Sequence, residues 1–169
     1  MYWIYYTDAE KTAALPEDEY GYLESSKIGP RSPDPAFKPI GHIALDWEDY
    51  AGEPSLASKE DRVCTIATFF ILKSQQGGGL GSAVVKERER RAVTELNARA
   101  MTLNTFDGEK CDDPEWCRRA MVTRNNERWY ARYGYVAYRR NIPRYWQKDI
   151  DGNDILLEAV YMRKELQAE

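Results

Sequence analysis

Apolar and polar positions along the chain predict mostly strands, with one long helix between them. Tyr2–Thr7 is an aromatic, strand-like run, and "IGHIALDW" (40–47) has the same character. "VCTIATFFIL" (63–72) is almost continuously apolar and β-branched, the pattern of a strand buried on both faces. From residue 80 to 100, Leu80, Val84, Val85, Ala92, Val93, Leu96 and Ala100 recur at helical spacing. Residues 86–91 are all charged, with Glu87 and Arg91 spaced i,i+4, and read as a solvated helix face. "AMTLNTF" (100–106) predicts a further strand and "DGEKCDDPEWC" (107–117) a loop. "RNNERWYARYG" (124–134) starts with asparagine caps and ends in glycine, so it predicts a helix of about two turns. "YVAYRRNIPRYW" (135–146) and "ILLEAVYMRKEL" (155–166) predict two strands around the turn "DIDGND". Residues 8–39 read as an irregular insertion, because "IGPRSPDPAFKP" holds four prolines. The expected architecture is α+β with a mixed sheet, a single domain over 1–169 without internal repeats.

Composition narrows the class. The chain has 169 residues, 31% charged and 43% hydrophobic, as in a globular domain with a core. A net charge of −4 argues against nucleic acid as the main partner. No apolar run approaches the ~18 residues of a membrane span, so no membrane partner is expected. "MYWIYYTDAEK" lacks the basic and apolar regions of a signal peptide. The three cysteines, Cys64, Cys111 and Cys117, cannot all pair and include no C-x-x-C spacing. They fit a reducing compartment, cytoplasmic or nucleo-cytoplasmic. One histidine, His42, and no thiolate cluster argue against a metal.

Four glycines between the apolar strand and the helix require a reason, since each costs backbone entropy. A strand passing through glycines into a helix exposes backbone N–H groups that have no intrahelical acceptor and lie at the positive end of the helix dipole. Such a turn binds phosphate or pyrophosphate. Spacing separates the known cradles. No glycine precedes a lysine and hydroxyl as the P-loop requires. The dinucleotide fingerprint fails because its sixth position is Ser82 counted from Gly77, or Val84 counted from Gly79. Gln76-Gly77-Gly78-Gly79-Leu80-Gly81 satisfies a third pattern, Q/R-x-x-G-x-G/A.

With this motif the chain resembles the GNAT superfamily of acyl-CoA-dependent N-acyltransferases. The family's strand L-x-V-x-P-x-x-R/Q is matched by Phe69, Ile71 and Gln76, with Lys73 in place of proline. Its asparagine, tyrosine and Y-x-x-x-G-F/Y pattern is matched by Asn126, Tyr130, Gly134 and Tyr135. The resemblance spans roughly residues 40–165. It implies a mixed, mostly antiparallel twisted sheet flanked by helices, with acyl-CoA at the splay between two central strands. It also implies an N-acetyltransferase that moves acetyl from acetyl-CoA, without a metal, to a primary amine on a small molecule or peptide. The alternative is a non-catalytic acyl-CoA-binding or interaction module, and the resemblance allows a homodimer.

The resemblance assigns the CoA pyrophosphate to Gln76, Gly77, Gly78, Gly79, Gly81 and Ser82. It assigns the pantetheine arm and the oxyanion to backbone groups of Phe70, Ile71 and Leu72. Asn126 would cap its helix, with Asn125 the alternative cap one residue earlier, and bind the pantetheine or substrate carbonyl. Tyr130 would protonate the leaving thiolate: a phenol, pKa about 10, can serve a thiol of pKa about 8.5. The base is open. Residues 63–72 hold no carboxylate, leaving Asp46, Glu48, Asp49 and His42 as candidates. The family fold also begins with a strand and helix pair before the strand that corresponds to Tyr2–Thr7. The expectation is a chain lacking that part, with residues 8–39 partly lining the acceptor site.

Overall fold

The computed structural model describes residues 1–7, 11, 38–122 and 124–167. The expected insertion therefore lies outside the described residues, apart from Lys11, Lys38 and Pro39. Among the described residues there are six strands: β1 (Tyr2–Tyr5), β2 (Pro39–Asp46), β3 (Val63–Ile71), β4 (Ala100–Phe106), β5 (Val136–Lys148) and β6 (Asp154–Glu165). Among the described residues three helices accompany them: α1 (Leu80–Leu96), α2 (Pro114–Arg119) and α3 (Asn126–Ala131). The strands form one mixed sheet in the order β1-β2-β3-β4-β6-β5. The β3/β4 register is parallel, and the β1/β2, β4/β6 and β5/β6 registers are antiparallel. Parallel neighbours need a long crossover, and α1 lies between them in sequence. Among the described residues no helix is long and apolar enough to cross a membrane.

The chain divides into two compact units, Met1–Leu45 with Ala67–Arg88, and Asp46–Ile66 with Glu89–Glu169. In the first unit, buried Ile40 and Leu72 pack with Ile4, Tyr6, Phe70 and Leu80. Pro39, expected in the insertion, opens β2 opposite Tyr5. Proline at the first residue of a strand leaves the ladder intact. In the second unit, Leu56, Ala159 and Tyr161 form a buried cluster joined by Ile142 and Tyr145. Pro143 sits inside β5, which is tolerated because β5 ends the strand order and its register with β6 slips on either side.

Several boundaries differ from expectation. α1 stops at Leu96, because Asn97 turns left-handed (φ 54°) and the Ala98 N–H closes on Ala92 O at 2.8 Å. Ala100, read both as the helix's last apolar position and as the first residue of the strand 100–106, opens β4. The segment 107–117, expected as a loop, holds a 3₁₀ turn (Gly108–Asp112) and α2. Asp107 caps the turn through Glu109 N–H, and Asp113 caps α2 through the Glu115 and Trp116 amides. The charged run 86–91 is only partly solvated. Arg88 is 8% exposed and lies 3.8 Å from the Tyr2 ring centroid. Lys164 Nζ bonds Glu89 Oε2 at 2.6 Å.

Candidate active site

The glycine turn is built by the end of β3. Leu72 is followed by a 3₁₀ turn over Lys73–Gln75, which brings Gln76 to the mouth of α1. Gln76 Nε2 donates back to Ile71 O at 2.9 Å, so this side chain closes the turn upon itself. Tyr6 Oη donates to Gln75 Oε1 at 3.0 Å, and Gln75 Nε2 donates to Ser74 Oγ at 3.0 Å. Sequence reasoning missed this brace, since Tyr6 carries no motif.

Gly77, Gly78 and Gly79 then take φ of 97°, 55° and 81°, three left-handed residues in succession. A Cβ on any of them would meet no protein atom within 4 Å. The glycines are therefore demanded by the backbone conformation, and the space their side chains would fill is open. Leu80 N–H turns back to Gly77 O at 3.3 Å and Ala83 N–H to Gly79 O at 3.0 Å. The amides of Gly77, Gly78, Gly79 and Gly81 have no hydrogen-bond partner among the described residues. Gly77, Gly78 and Gly79 border a cavity of about 500 Å³ lined by Tyr6, Ser74–Leu80 and Ala83. Ser82 is half-buried in the first turn of α1. The dipole of this 17-residue helix adds positive potential at the same end. Such a place suits a diphosphate: among the described residues there are donors without acceptors, open space where side chains would stand, and no carboxylate in the lining.

Phe70, Ile71 and Leu72 differ in what they offer. The Leu72 N–H is already bonded to Ile40 O at 2.8 Å, so it is not a donor for a ligand, against expectation. Strand alternation turns the Ile71 amide to the edge away from β2. The β3/β4 register extends only from Val63↔Ala100 to Ile66↔Leu103 and does not reach Ile71. Gly41 is a second feature that sequence reasoning passed over. A Cβ there would overlap Phe70 O and lie 3.0 Å from Ile71 Cα, so only glycine lets β2 approach β3 this closely. A glycine inside a strand pattern was the available signal.

In the second unit, α3 carries Asn126 and Tyr130. Asn125, not Asn126, caps this helix: its side chain accepts the Arg128 amide at 2.9 Å and donates to Gly108 O at 2.9 Å. One residue of register decides the role, because only the residue before the first turn can reach the third amide. Asn126 is the exposed first residue of the helix, and its side chain is uncommitted among the described residues. Tyr130 is buried, edge-on to Tyr135 at 5.6 Å between ring centroids. Burial pushes its phenol well above the ordinary value. It therefore stays protonated throughout the working pH range. The α3 entrance is fixed by Arg140, which bonds Asp107 Oδ1 at 2.9 Å and pairs with Glu127, while Glu127 Oε2 accepts the Gly108 amide at 2.8 Å.

The candidate bases separate. Asp49 is almost fully buried, paired with Arg144 Nη2 at 2.6 Å and accepting the Ala51 amide at 3.1 Å, which makes it a loop anchor. Asp46 Oδ1 accepts the Trp47 amide at 2.7 Å, and Glu48 is exposed. His42 is half-buried on β2 between Trp3 and Phe70.

No protein-family model and no curated protein sequence matches the chain. Solved structures of similar fold do. A dodecameric spermidine N-acetyltransferase from Vibrio cholerae superposes with a TM-score of 0.52 at 14% identity, over 76% of this chain and 58% of that one. An IAA acetyltransferase from Bacillus cereus does so with a TM-score of 0.52 at 13% identity, over 76% of this chain and 71% of that one. The chain thus spans little more than half the length of the first of these.

Proposed function

We propose that this chain, which has the GNAT N-acetyltransferase fold, transfers an acetyl group from acetyl-CoA to a primary amine. The observation that carries the proposal is the run of three left-handed glycines whose amides, unpartnered among the described residues, border a cavity at the start of α1. Acetyltransferases of similar fold support it.

In this reading the amides of Gly77–Gly79 and Gly81 hold the CoA diphosphate, with Ser82 and the α1 dipole beside them. Gln76 contributes by shaping the turn through Ile71 O. The Ile71 N–H is the donor for the thioester oxygen on which negative charge develops. Acetyl-CoA, when bound, supplies an activated carbonyl and a thiolate leaving group of pKa about 8.5. Tyr130 serves the sulfur. With its phenol pushed up by burial, complete proton transfer to the weaker base is uphill. Its contribution is a hydrogen bond that strengthens as charge gathers on sulfur, with solvent supplying the proton afterwards. Asn126 binds a carbonyl of the pantetheine or of the acceptor.

Calorimetry with CoA and thiol release from acetyl-CoA over an amine panel test the proposal. Gly79→Val, which cannot hold φ 81°, should abolish CoA binding. Retained affinity would contradict the cradle. Binding without thiol release would leave a CoA-binding module and remove the enzyme.

A further inference from the structure

The sole histidine of the chain lies in a row of aromatic rings across β1, β2 and β3. Trp3 and His42 stand directly opposite one another in the β1/β2 register. Their ring centroids are 5.8 Å apart at an interplanar angle of 73°, and His42 and Phe70 are 5.9 Å apart at 32°. Trp3 is 45% exposed, so the row opens outward at β1. At its inner end, Phe70 directly precedes Ile71, whose amide is assigned above to the thioester oxygen. His42 is thus the titratable side chain of β2 that neighbours this part of β3.

A primary amine arrives protonated at neutral pH and must lose a proton before it can attack. β3 carries no carboxylate, and Asp46 and Asp49 are committed to their own loop. We propose that the row Trp3–His42–Phe70 is the binding face for a primary ammonium acceptor and that the His42 imidazole receives its proton. This rests on the acetyltransferase reading above. The ammonium N–H proton passes to the free imidazole nitrogen, leaving neutral amine and imidazolium. The amine lone pair forms the N–C bond as the C–S bond breaks; the nitrogen's second proton passes through solvent to the departing thiolate, and the imidazolium returns its own proton to solvent. The aromatic faces complement the incoming cation. Among the described residues the rings facing His42 are Trp3 from β1 and Phe70 from β3, neither of them charged. Burial lowers the imidazole from its ordinary 6.5, so it is neutral and able to accept at pH 7.

Because there is one histidine, a ¹³C-histidine-labelled protein yields one imidazole signal per ring carbon. With phenethylamine as probe at pH 7.5, that signal should shift saturably, and Trp3→Ala should weaken the shift's apparent affinity about tenfold. A signal unmoved by the amine overturns the proposal. In turnover, His42→Ala should lower kcat at pH 7 about 100-fold, the usual scale of general-base assistance. The Michaelis constant for acetyl-CoA should stay within twofold. The variant should also lose the ascending pH limb below 6.5, and added imidazole should restore at least tenfold of the rate. A merely structural histidine gives neither the lost limb nor rescue. An unchanged pH profile in an active wild type sinks His42 alone, whereas absent CoA binding by the wild type sinks the acetyltransferase reading itself.

Discussion

Gly41→Ala isolates the closeness of β2 and β3 and should destabilise the protein sharply. The added Cβ would lie 3.0 Å from Ile71 Cα and 3.2 Å from the Phe70 carbonyl carbon, besides overlapping Phe70 O. All three are backbone atoms of β3, so no side chain can swing aside and the strands must part. Real Cβ atoms keep near van der Waals separation, so a shift of several tenths of an ångström is needed. This also stretches the Leu72 N–H to Ile40 O bond, now 2.8 Å. Overpacking of this kind costs about 1–3 kcal/mol, and a weakened buried backbone bond about 1 more. Urea unfolding measures it: with a slope of about 2 kcal/mol per molar, the midpoint should fall by about 1–2 M. Gly78→Ala is the control. Its Cβ meets nothing and its φ of 55° lies in the left-handed well, so about 1–2 kcal/mol should be lost from dihedral strain alone. Equal midpoints for Gly41→Ala and the wild type would refute the close approach. A Gly78 variant that is the worse of the two would refute the separation of sterics from dihedral strain.

Tyr130→Phe should cut acetyl transfer by about 100-fold while CoA affinity by calorimetry stays within twofold; unchanged turnover removes Tyr130 from the reaction. Asp49→Ala should cost about 3–5 kcal/mol in urea unfolding, because it strands the buried Arg144 guanidinium, whose Nε already lacks a partner; a loss under 1 kcal/mol would show the pair to be solvated. Burial raises the phenols of Tyr130, Tyr135 and Tyr145, so their stabilising contribution is full below the ordinary phenol value of about 10 and is lost as pH rises through the folded values. Thermal midpoints by circular dichroism should therefore fall progressively above about pH 10, and a flat profile to pH 11.5 would oppose this. Burial also pushes the Cys64 thiol up to about 11, so iodoacetamide at pH 8 should leave it unmodified in the native protein and alkylate it only after unfolding.

The glycine turn was legible because its cause is local: a run of residues without Cβ between a strand and a helix admits few conformations. The order of strands and the short helix after Asn125 were legible for the same reason, through period and caps. What escaped depends on pairing over distance. The register of Ile40 against Leu72 decides that the Leu72 amide is spent, and nothing within 63–72 reveals its neighbour. Arg88 and Glu89 look like surface charges until Tyr2 and Lys164 are placed against them. The capping role moved from Asn126 to Asn125 because two adjacent asparagines carry the same propensity and only the helix start separates them. The α2 segment was masked by its polar composition, although Asp113-Pro114 is itself a cap followed by a first-turn proline.

The β4/β6 register joins Phe106 to Ala159 and Ala100 to Glu165, so one side of β4 is completed by residues made more than fifty positions later. At a synthesis rate of about 5–20 residues per second, that side waits roughly 3–13 s for its partner. Ala100–Leu103, all buried in the finished fold, are exposed during that interval. An unpaired edge is a template for a second chain. Expression conditions that slow elongation should lengthen this window and lower the soluble yield, with no change in the stability of the molecules that finish folding.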